Sequence, residues 1–295
     1  MIGKLISIDN PFHLSVRLDQ LQLSNKMEGV VASRPLEDIS TIILNHPHIT
    51  FTQSFIQKAA HFNVAVVFCD ERYHPSSMLF HLDTNQVQNE RYRCQIEISQ
   101  SLKKQLWQQT IKAKIKNQAA VVTYIGKDDQ ALKYISNQVK SGDSSNEEAQ
   151  AARRYWPQLF EEDFTREREG VHVNPALNYG YAILRAATAR AICGAGLLPT
   201  IGIHHHNKYN SFCLADDIME PYRPFVDRTV WEMWKEGMNC SELGKDEKAR
   251  LLTVLQMDTQ MGKLKRPLQI ALTMTAASLY HCFAKEIKIL LYPTL

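Results

Sequence analysis

Residues 90–118 read ERYRCQIEISQSLKKQLWQQTIKAKIKNQ. The helical spacing of apolar residues in this stretch predicts where the chain divides into two domains. Its apolar side chains recur at helical spacing and form one face, made by Leu102, Leu106, Trp107, Ile111 and Ile115. The pattern predicts a single long amphipathic helix over residues 90–118. Because the preceding residues have a different period, a hinge is expected near residues 85–92.

Before Gln86 the apolar runs are short and strand-like, and turn residues such as Asn10, Pro11 and Gly29 interrupt them. Residues 41–44 (TIIL) and 64–68 (VAVVF) are continuous enough to predict strands buried on both faces. Residues 52–62 predict a helix between them. Residues 1–88 are therefore expected to form a β-rich domain with one helix.

After residue 118 the helical period continues. It predicts further helices at 128–138, 147–162, 176–196, 213–236, 246–258 and 267–291. The expected fold class is α+β, with a small N-terminal β-rich domain followed by a larger all-α domain over residues 89–295.

Composition limits the class of protein. The 295 residues include 34 Lys and Arg against 31 Asp and Glu, with 44% apolar residues. These values exclude a disordered tail protein, a small disulfide scaffold and a histone-like polycation. The six cysteines lie far apart, which predicts free thiols and a reducing, cytoplasmic location. Arg185 and Arg190 interrupt the most apolar long stretch, which predicts a buried helix and no membrane span.

Charge is distributed unevenly along the chain. Residues 101–140 contain 8 Lys against two Asp, a net charge of +6, whereas residues 141–170 contain 8 acids against 4 Arg, a net charge of −4. The basic helix includes Lys103, Lys104, Lys112, Lys114 and Lys116. From charge alone, a solvated helix face explains these lysines as well as a surface that binds a polyanion does.

Three consecutive histidines in residues 202–206 (GIHHH) precede a group of acids, Asp216, Asp217 and Glu220. If residues 213 onward are helical, Asp217 and Glu220 share a face at a spacing of three. Imidazole nitrogen with carboxylate oxygen and no thiolate suits Mn²⁺ or Mg²⁺. The alternatives are a surface histidine loop and helix-start acids that favour the macrodipole.

Glu148 is a second acidic candidate. It shares a helical face with Ala151, Ala152 and Tyr155, on which an unpaired carboxylate is costly to bury. The alternative role for Glu148 is a first-turn acid that stabilises the helix N-terminus.

Several separate motifs resemble one family. They are Glu148 with Ala151, Ala152, Arg153 and Tyr155, then residues 174–185 (NPALNYGYAILR), 202–205 (GIHH) and 217–224 (DIMEPYRP). Residues 42–47, 63–67 and 107–119 extend the resemblance over nearly the whole chain. In this order the motifs are similar to the CRISPR adaptation integrase, the catalytic subunit of spacer acquisition often written Cas-one, in its type II form.

The resemblance implies a β-rich dimerisation domain and a helical catalytic domain with one Mg²⁺ or Mn²⁺ site. Carried over by motif, the catalytic residues and metal ligands are Glu148, His205 and Glu220. Ala149 departs from the family pattern, in which glycine commonly follows the first Glu. Asp217 and His204 are expected to support the site, and Arg223 and Arg228 join the lysines as candidate DNA contacts.

The implied activity is that of a metal-dependent DNA endonuclease and integrase that joins 3′-hydroxyl ends of prespacer DNA into a CRISPR repeat array. The implied partners are double-stranded DNA, a second copy of the chain, the small ferredoxin-like adaptation subunit in a heterohexamer, and the type II RNA-guided effector nuclease. The alternatives are a general metal-dependent DNA nuclease or repair enzyme and a non-catalytic DNA-binding scaffold. Tyr155, Tyr179 and Tyr222 are either base-stacking or core residues.

Overall fold

The structure, a computed structural model, describes residues 3–71, 75–79, 85–160, 164–167 and 170–295. The chain divides into two compact units, Met1–Gln86 and Val87–Leu295. The division falls within the hinge expected at residues 85–92.

The first unit is built mainly from strands. These are β1 (Lys4–Ile8), β2 (His13–Arg17), β3 (Gln20–Asn25), β4 (Gly29–Pro35), β5 (Ile39–Leu44), β6 (Thr50–Phe51), β7 (Ala65–Cys69) and β8 (Pro75–Leu79), with helix α1 (Gln53–His61) between β6 and β7. One sheet has the order β1-β5-β7-β8, in which β8 is antiparallel to β7 and the other pairs are parallel. The other has the order β4-β3-β2-β6.

Burial explains why these elements form. Every residue of β5 is buried, as the continuous apolar run predicted. The core of this unit includes Leu14, Ile42, Phe55 and Val66. The side chain of Thr52 accepts a hydrogen bond from Phe55 N and caps α1, which lies inside the predicted range of 52–62.

The second unit is mainly helical. Its helices are α2 (Gln88–Ile96), α3 (Gln100–Tyr124), α4 (Gln130–Gln138), α5 (Glu147–Leu159), α6 (Asn174–Gly194), α7 (Cys213–Met219), α8 (Arg223–Lys235), α9 (Lys245–Leu252) and α10 (Leu268–Phe283). A short hairpin pairs β9 (Asp258–Met261) with β10 (Leu264–Pro267) in antiparallel register. The expectation of an all-α domain was wrong in this respect, because residues 258–261 and 264–267 form two strands.

The stretch over residues 90–118 is two helices and not one. The helix α2 ends at Ile96, and α3 begins after Ser99, whose side chain accepts a hydrogen bond from Leu102 N. A serine at this position satisfies a free backbone N–H at the start of the helix and so favours a new start. Of the predicted apolar face of α3, Leu106, Trp107, Ile111 and Ile115 are buried and Leu102 is partly buried.

The helix expected over residues 213–236 is also divided. A 3-10 turn, Glu220–Tyr222, separates α7 from α8, and prolines occupy early positions of both the turn and α8. Proline removes a backbone donor and disfavours continuation of the preceding helix. The break places Glu220 at the turn between two helices.

Other boundaries differ by a few residues. The helix expected over 147–162 ends at Leu159, and residues 161–162 lie outside the described part of the chain. The helix expected over 246–258 ends at Leu252 and continues as a 3-10 turn to Gln256, and that expected over 267–291 ends at Phe283. Within the described residues, no helix combines the length and apolar character needed to cross a bilayer.

Candidate active site

Four elements of the second unit supply the site. Helix α3 contributes Lys114, α5 contributes Glu148, the loop before α7 contributes His205, and the 3-10 turn after α7 contributes Glu220. Because α5 and the turn both contact α3, their two carboxylates meet at the Lys114 ammonium group.

Lys114 bridges the two glutamates. Its Nζ lies 2.5 Å from Glu148 Oε1 and 2.6 Å from Glu220 Oε2, and only 12% of its side chain is exposed. Burial lowers the pKa of an ammonium group, but the charges of Glu220 and Glu148 outweigh burial here and raise the pKa of Lys114. Lys114 is therefore a cation near neutral pH.

Glu220 is almost fully buried and is held from both sides. Arg223 Nε lies 2.9 Å from its Oε1, and Lys114 forms an ion pair with its Oε2, which otherwise has no hydrogen-bond partner. Burial raises the pKa of the carboxyl, but Arg223 and then Lys114 lower it below its usual value overall. Asn117 Nδ2 donates to the carbonyl of Pro221 at 2.7 Å, which anchors the turn to α3.

A single buried carboxylate, that of Asp217, orders residues 202–206, which form the histidine loop. Asp217 Oδ2 accepts hydrogen bonds from the backbone N–H groups of Ile203 and His204 at 2.7 and 2.9 Å. Its Oδ1 accepts from the N–H of His205 at 3.1 Å and lies 2.6 Å from His205 Nδ1. This contact is the main cause of the raised pKa of His205. It leaves His205 Nε2 as the nitrogen available to a ligand.

Gly202 lets the loop turn this tightly. A Cβ atom at this position would lie 2.3 Å from the carbonyl oxygen of His205 and 2.7 Å from Asp217 Oδ2. The first neighbour is backbone and the second is a fully buried carboxylate, so neither yields easily. The glycine is therefore required by close approach.

Trp107 packs beneath the loop. Its ring stacks on the His204 ring at 4.1 Å between centroids, and the His205 ring meets it edge-on at 5.8 Å. Burial lowers the pKa of His204, which favours a neutral imidazole. Farther back, the buried Gln95 donates to the carbonyls of Leu198 and Ile201 and so ties α2 to the chain that leads into the loop.

Asp143 fixes the start of α5. Its two carboxylate oxygens accept from the N–H groups of Glu147 and Glu148 at 2.9 and 3.1 Å. Burial raises the pKa of Asp143. Asn146, the residue before α5, has a left-handed backbone and makes no capping bond through its side chain.

The candidate DNA-binding residues fall into two groups. Lys104 and Lys116 are exposed and Lys103 and Lys112 are partly exposed. Lys114, Arg223 and Arg228 instead pair with carboxylates, Arg228 with Glu232 at 2.9 Å. Base stacking by Tyr155, Tyr179 and Tyr222 is contradicted, because all three are completely buried.

The donor types fit a hard divalent cation, although the described residues show no ready-made cluster of three His, Cys, Asp or Glu ligands. Two carboxylates face one cationic centre, and a histidine lies near enough that its charge lowers the pKa of Glu220. Carboxylate oxygen and imidazole nitrogen suit Mg²⁺ or Mn²⁺. Lys114 is the cation between the carboxylates in this structure.

The chain is similar to known proteins over most of its length. A family model described as "CRISPR associated protein Cas1" matches residues 7–259. The chain is 38% identical over 257 residues to "CRISPR-associated endonuclease Cas1" of Neisseria meningitidis serogroup C (strain 8013), which covers 86% of this chain and 84% of that protein.

Two solved structures have the same fold. A casposase bound to integration product aligns with a TM-score of 0.79 at 18% identity, over 98% of this chain and 92% of that one. A Cas6-RT-Cas1–Cas2 complex contains a chain that aligns with a TM-score of 0.76 at 19% identity, over 98% of this chain and 36% of that one.

Proposed function

We propose that this chain, which belongs to the CRISPR-associated Cas1 family, is a metal-dependent DNA endonuclease and integrase of spacer acquisition. The observation that carries the proposal is the meeting of Glu148 and Glu220 around one cationic centre, beside a histidine oriented by the buried Asp217. The proposed reaction joins a 3′-hydroxyl end of prespacer DNA to a phosphodiester of the repeat array.

Glu148, His205 and Glu220 are the proposed ligands of Mg²⁺ or Mn²⁺. Such a cation would supply a Lewis acid for the phosphate under attack. The protein's own contribution is orientation. Asp217 contacts Nδ1 of His205, which leaves Nε2 as the ring nitrogen for a ligand. Arg223 holds Oε1 of Glu220, which leaves Oε2 to a cation, and in this structure that cation is Lys114.

The bond balance of this reaction explains why no energy source is required. The 3′-hydroxyl oxygen forms a bond to phosphorus while one phosphodiester bond of the target strand breaks, so one phosphodiester replaces another. The attacking hydroxyl loses a proton and the leaving oxygen gains one. His204, which packs on Trp107 and is favoured as neutral imidazole, is the proposed supporting group beside the leaving oxygen.

DNA is proposed to lie along α3. Lys103, Lys104, Lys112 and Lys116 are at least partly exposed, and the segment 101–140 carries a net charge of +6. Phosphate contacts of this kind release counterions, so the affinity for duplex DNA should fall steeply with salt. Arg228 is proposed as a weaker contact, because it already pairs with Glu232.

The partner proposals rest on the family and on the fold neighbours. The fold neighbour in a Cas6-RT-Cas1–Cas2 complex supports a small Cas2-type partner, and the casposase with its integration product supports a DNA substrate. The first unit is proposed as the surface for a homodimer, bridged by the small subunit into a heterohexamer. A type II RNA-guided effector nuclease is the proposed additional partner.

A strand-transfer assay tests the activity. A short duplex with free 3′-hydroxyl ends is mixed with a repeat-containing plasmid, Mn²⁺ or Mg²⁺, the small partner and the protein. Covalent joining of duplex to plasmid is expected, and Glu148→Ala, His205→Ala and Glu220→Ala should each abolish it. A duplex ending in 3′-dideoxynucleotides is the matched control, because it lacks the nucleophile.

Three outcomes would contradict parts of the proposal. Nicked plasmid without joined product in every condition would favour a nuclease or repair enzyme, since hydrolysis uses the same ligands with water as the nucleophile. Undiminished joining in all three variants would show that the site lies elsewhere. DNA binding without any metal-dependent product would favour a non-catalytic scaffold.

A further inference from the structure

We propose that Lys114 is an internal counter-ion of the metal site, which must release both glutamates when a divalent cation binds and then pairs with DNA phosphate. This inference rests on the proposed function, because it assumes that Glu148 and Glu220 are metal ligands. It assigns to Lys114 a positioning and coupling role that differs from a surface DNA contact. Metal binding and DNA binding would then assist each other through one side chain.

The first step of the argument is which oxygens are used. Lys114 Nζ contacts Glu148 Oε1 and Glu220 Oε2. The second oxygen of Glu220 is already paired with Arg223. A metal ion that bound one oxygen of each glutamate and left the Arg223 pair intact would therefore need Oε2 of Glu220. This is the oxygen that Lys114 holds. Lys114 and the metal ion therefore compete for the same carboxylate oxygen.

The second step is charge. Glu148 and Glu220 are balanced by Lys114 and Arg223, two negative charges against two positive ones. A divalent cation would add two more positive charges in a largely buried site, where repulsion is poorly screened. This repulsion favours the departure of one resident cation when the metal ion binds.

The third step is which cation moves. Arg223 is fixed by Glu220 and by packing 4.8 Å from the centre of the Tyr181 ring. Lys114 makes point contacts through a flexible four-carbon stem, and its ammonium group can swing without moving α3. Glu148 and His205 are the more open members of the site, with 31% and 44% of their side chains exposed. Lys114 itself is 12% exposed, so the proposed movement takes its ammonium group toward the more open side of the site, where Glu148 lies and where DNA phosphate would be met.

The test measures Mn²⁺ binding to DNA-free protein by calorimetry. Lys114→Met keeps the length of the stem and removes the charge, so Mn²⁺ should bind at least about tenfold tighter than to wild type, a difference of about 1.4 kcal/mol. Lys263→Met, which removes an exposed lysine in the hairpin turn, is the charge-matched control and should leave the affinity unchanged.

The second arm adds duplex DNA with 3′-dideoxy ends, so that no joining occurs. DNA should tighten Mn²⁺ binding to wild type, because phosphate accepts the released ammonium group. That gain should shrink at least several-fold in Lys114→Met. A DNA effect of the same size in both proteins would overturn the coupling.

The outcomes separate the inference from the proposed function. If wild type and Glu220→Ala bind Mn²⁺ equally, or neither binds it, the proposed metal site is wrong and the inference falls with it. If wild type binds Mn²⁺ through Glu220 but Lys114→Met binds it equally or more weakly, only the inference is overturned.

If Lys114→Met does not fold, a measurement on the wild-type protein alone still tests the displacement of Lys114. Brief acetylation followed by peptide mass spectrometry reports each lysine separately. Lys114 should be protected without metal and should become several-fold more reactive in Mg²⁺, whereas Lys263 should not change relative to an ionic-strength-matched NaCl sample. Unchanged protection of Lys114 in saturating Mg²⁺ would overturn the displacement.

Discussion

At the scale of single residues, the histidine loop depends on contacts that leave no spare room. Gly202 lies against the His205 carbonyl and the Asp217 carboxylate, and Asp217 holds three backbone N–H groups and one imidazole. A buried acceptor of this kind stabilises the loop because each donor would otherwise be unsatisfied. The position of His205 therefore depends on residues that are not themselves proposed ligands.

Gly202→Ala should displace the loop. The added Cβ would meet the His205 carbonyl at 2.3 Å, so the backbone must move and the histidine with it. Strand transfer should fall at least about tenfold, since small displacements of catalytic groups have large effects. Gly244→Ala is the control, because its Cβ would meet only the flexible Glu247 side chain. Wild-type joining by Gly202→Ala would contradict the required close approach.

Asp227 is a second buried carboxyl, and it should make stability depend on pH. Tyr155 donates to its Oδ2 at 2.9 Å and Tyr181 donates to its Oδ1. Burial raises its pKa to about 6 from an ordinary 3.8, although these hydrogen bonds act in the opposite direction. The folded protein therefore retains a proton that the unfolded chain releases.

The sign of this pH effect follows from linkage. Between about pH 4 and 6 the folded state binds more protons at Asp227 than the unfolded state does, so rising pH removes stability, by up to about 3 kcal/mol. Asp227→Asn should lack this component. Urea unfolding of both proteins at several pH values checks it, and a stability difference that does not change between pH 4 and 6 would contradict the raised pKa.

Lys114 shows what sequence could not determine at this scale. It lies three residues after Ile111 and seven after Trp107, so the spacing places it beside the apolar face of α3. Lys103 has a similar relation to Leu106 and Trp107, yet it makes no such pair among the described contacts. Only the approach of α5 and the 3-10 turn distinguishes the two lysines, and that is a tertiary effect.

At the scale of elements, the start of α5 sets where Glu148 lies. Asp143→Ala would remove the acceptor of two N–H groups, one of them that of Glu148. A lost cap of this kind costs about 1 kcal/mol, and the fraying should also weaken Mn²⁺ binding. Ser99→Ala is a matched control, because it removes the cap of α3 far from Lys114.

Comparing Asp143→Ala with Ser99→Ala separates an effect on the metal site from a general loss of stability. Both variants should lower the free energy of unfolding by a similar amount in urea titrations, but only Asp143→Ala should reduce Mn²⁺ affinity. Equal Mn²⁺ affinities in both would show that the start of α5 does not govern the site.

Helices with long periodic faces could be predicted from sequence. Their interruptions could not be read from the period, although Pro221 and Pro224 were a local signal for the break after α7. The helix α6 begins two residues before its predicted start, and α1 lies within its predicted range. The break at residues 97–99 depends on the capping bond of Ser99, and residues 258–267 form a hairpin because their N–H and carbonyl groups pair across two short strands. Local period carries little information about either event.

The site residues were expected from the motifs of the CRISPR adaptation family, and membership of that family is now established. The structure brings Glu148 and Glu220 to one cation and His205 to Asp217. The role of these residues as metal ligands stays a prediction. Spacing along the chain could not have shown it, because Glu148 and Glu220 come from elements 72 residues apart.

At the scale of the whole molecule, the first unit presents apolar side chains to solvent. Met27, Val30 and Val31 are exposed at or beside β4, which is an edge strand of its sheet. An exposed edge with apolar side chains favours pairing with another chain. Their exposure is consistent with the homodimer proposed for this unit.

Val30→Lys combined with Met27→Lys should therefore shift the protein from dimer to monomer, since the introduced charges would face each other across a paired edge. Sedimentation velocity over a range of concentrations measures the shift, with circular dichroism as the check on folding. Val171→Lys, an equally exposed change in the second unit, should leave the dimer intact. A wild-type protein that is monomeric at high concentration would refute the dimer itself.

The net charge of +3 conceals how this molecule is organised. The acids around Glu148 lie in a segment of net charge −4, next to the basic segment 101–140. The proposed activity, which acts on DNA with a bound cation, would require both signs close together, and Lys114 and Glu148 form an ion pair between the two segments. Total charge is therefore a poor guide to polyanion binding here.

The shared acceptor of the histidine loop has a kinetic consequence. Because the amides of Ile203, His204 and His205 all donate to the buried Asp217, each amide that opens to solvent removes one donor from the carboxylate that orders the other two. In deuterium oxide the three amides should exchange at one common rate, governed by a single local opening. The loop would then behave as one dynamic unit, whose exchange rate reports how often the site loses its order.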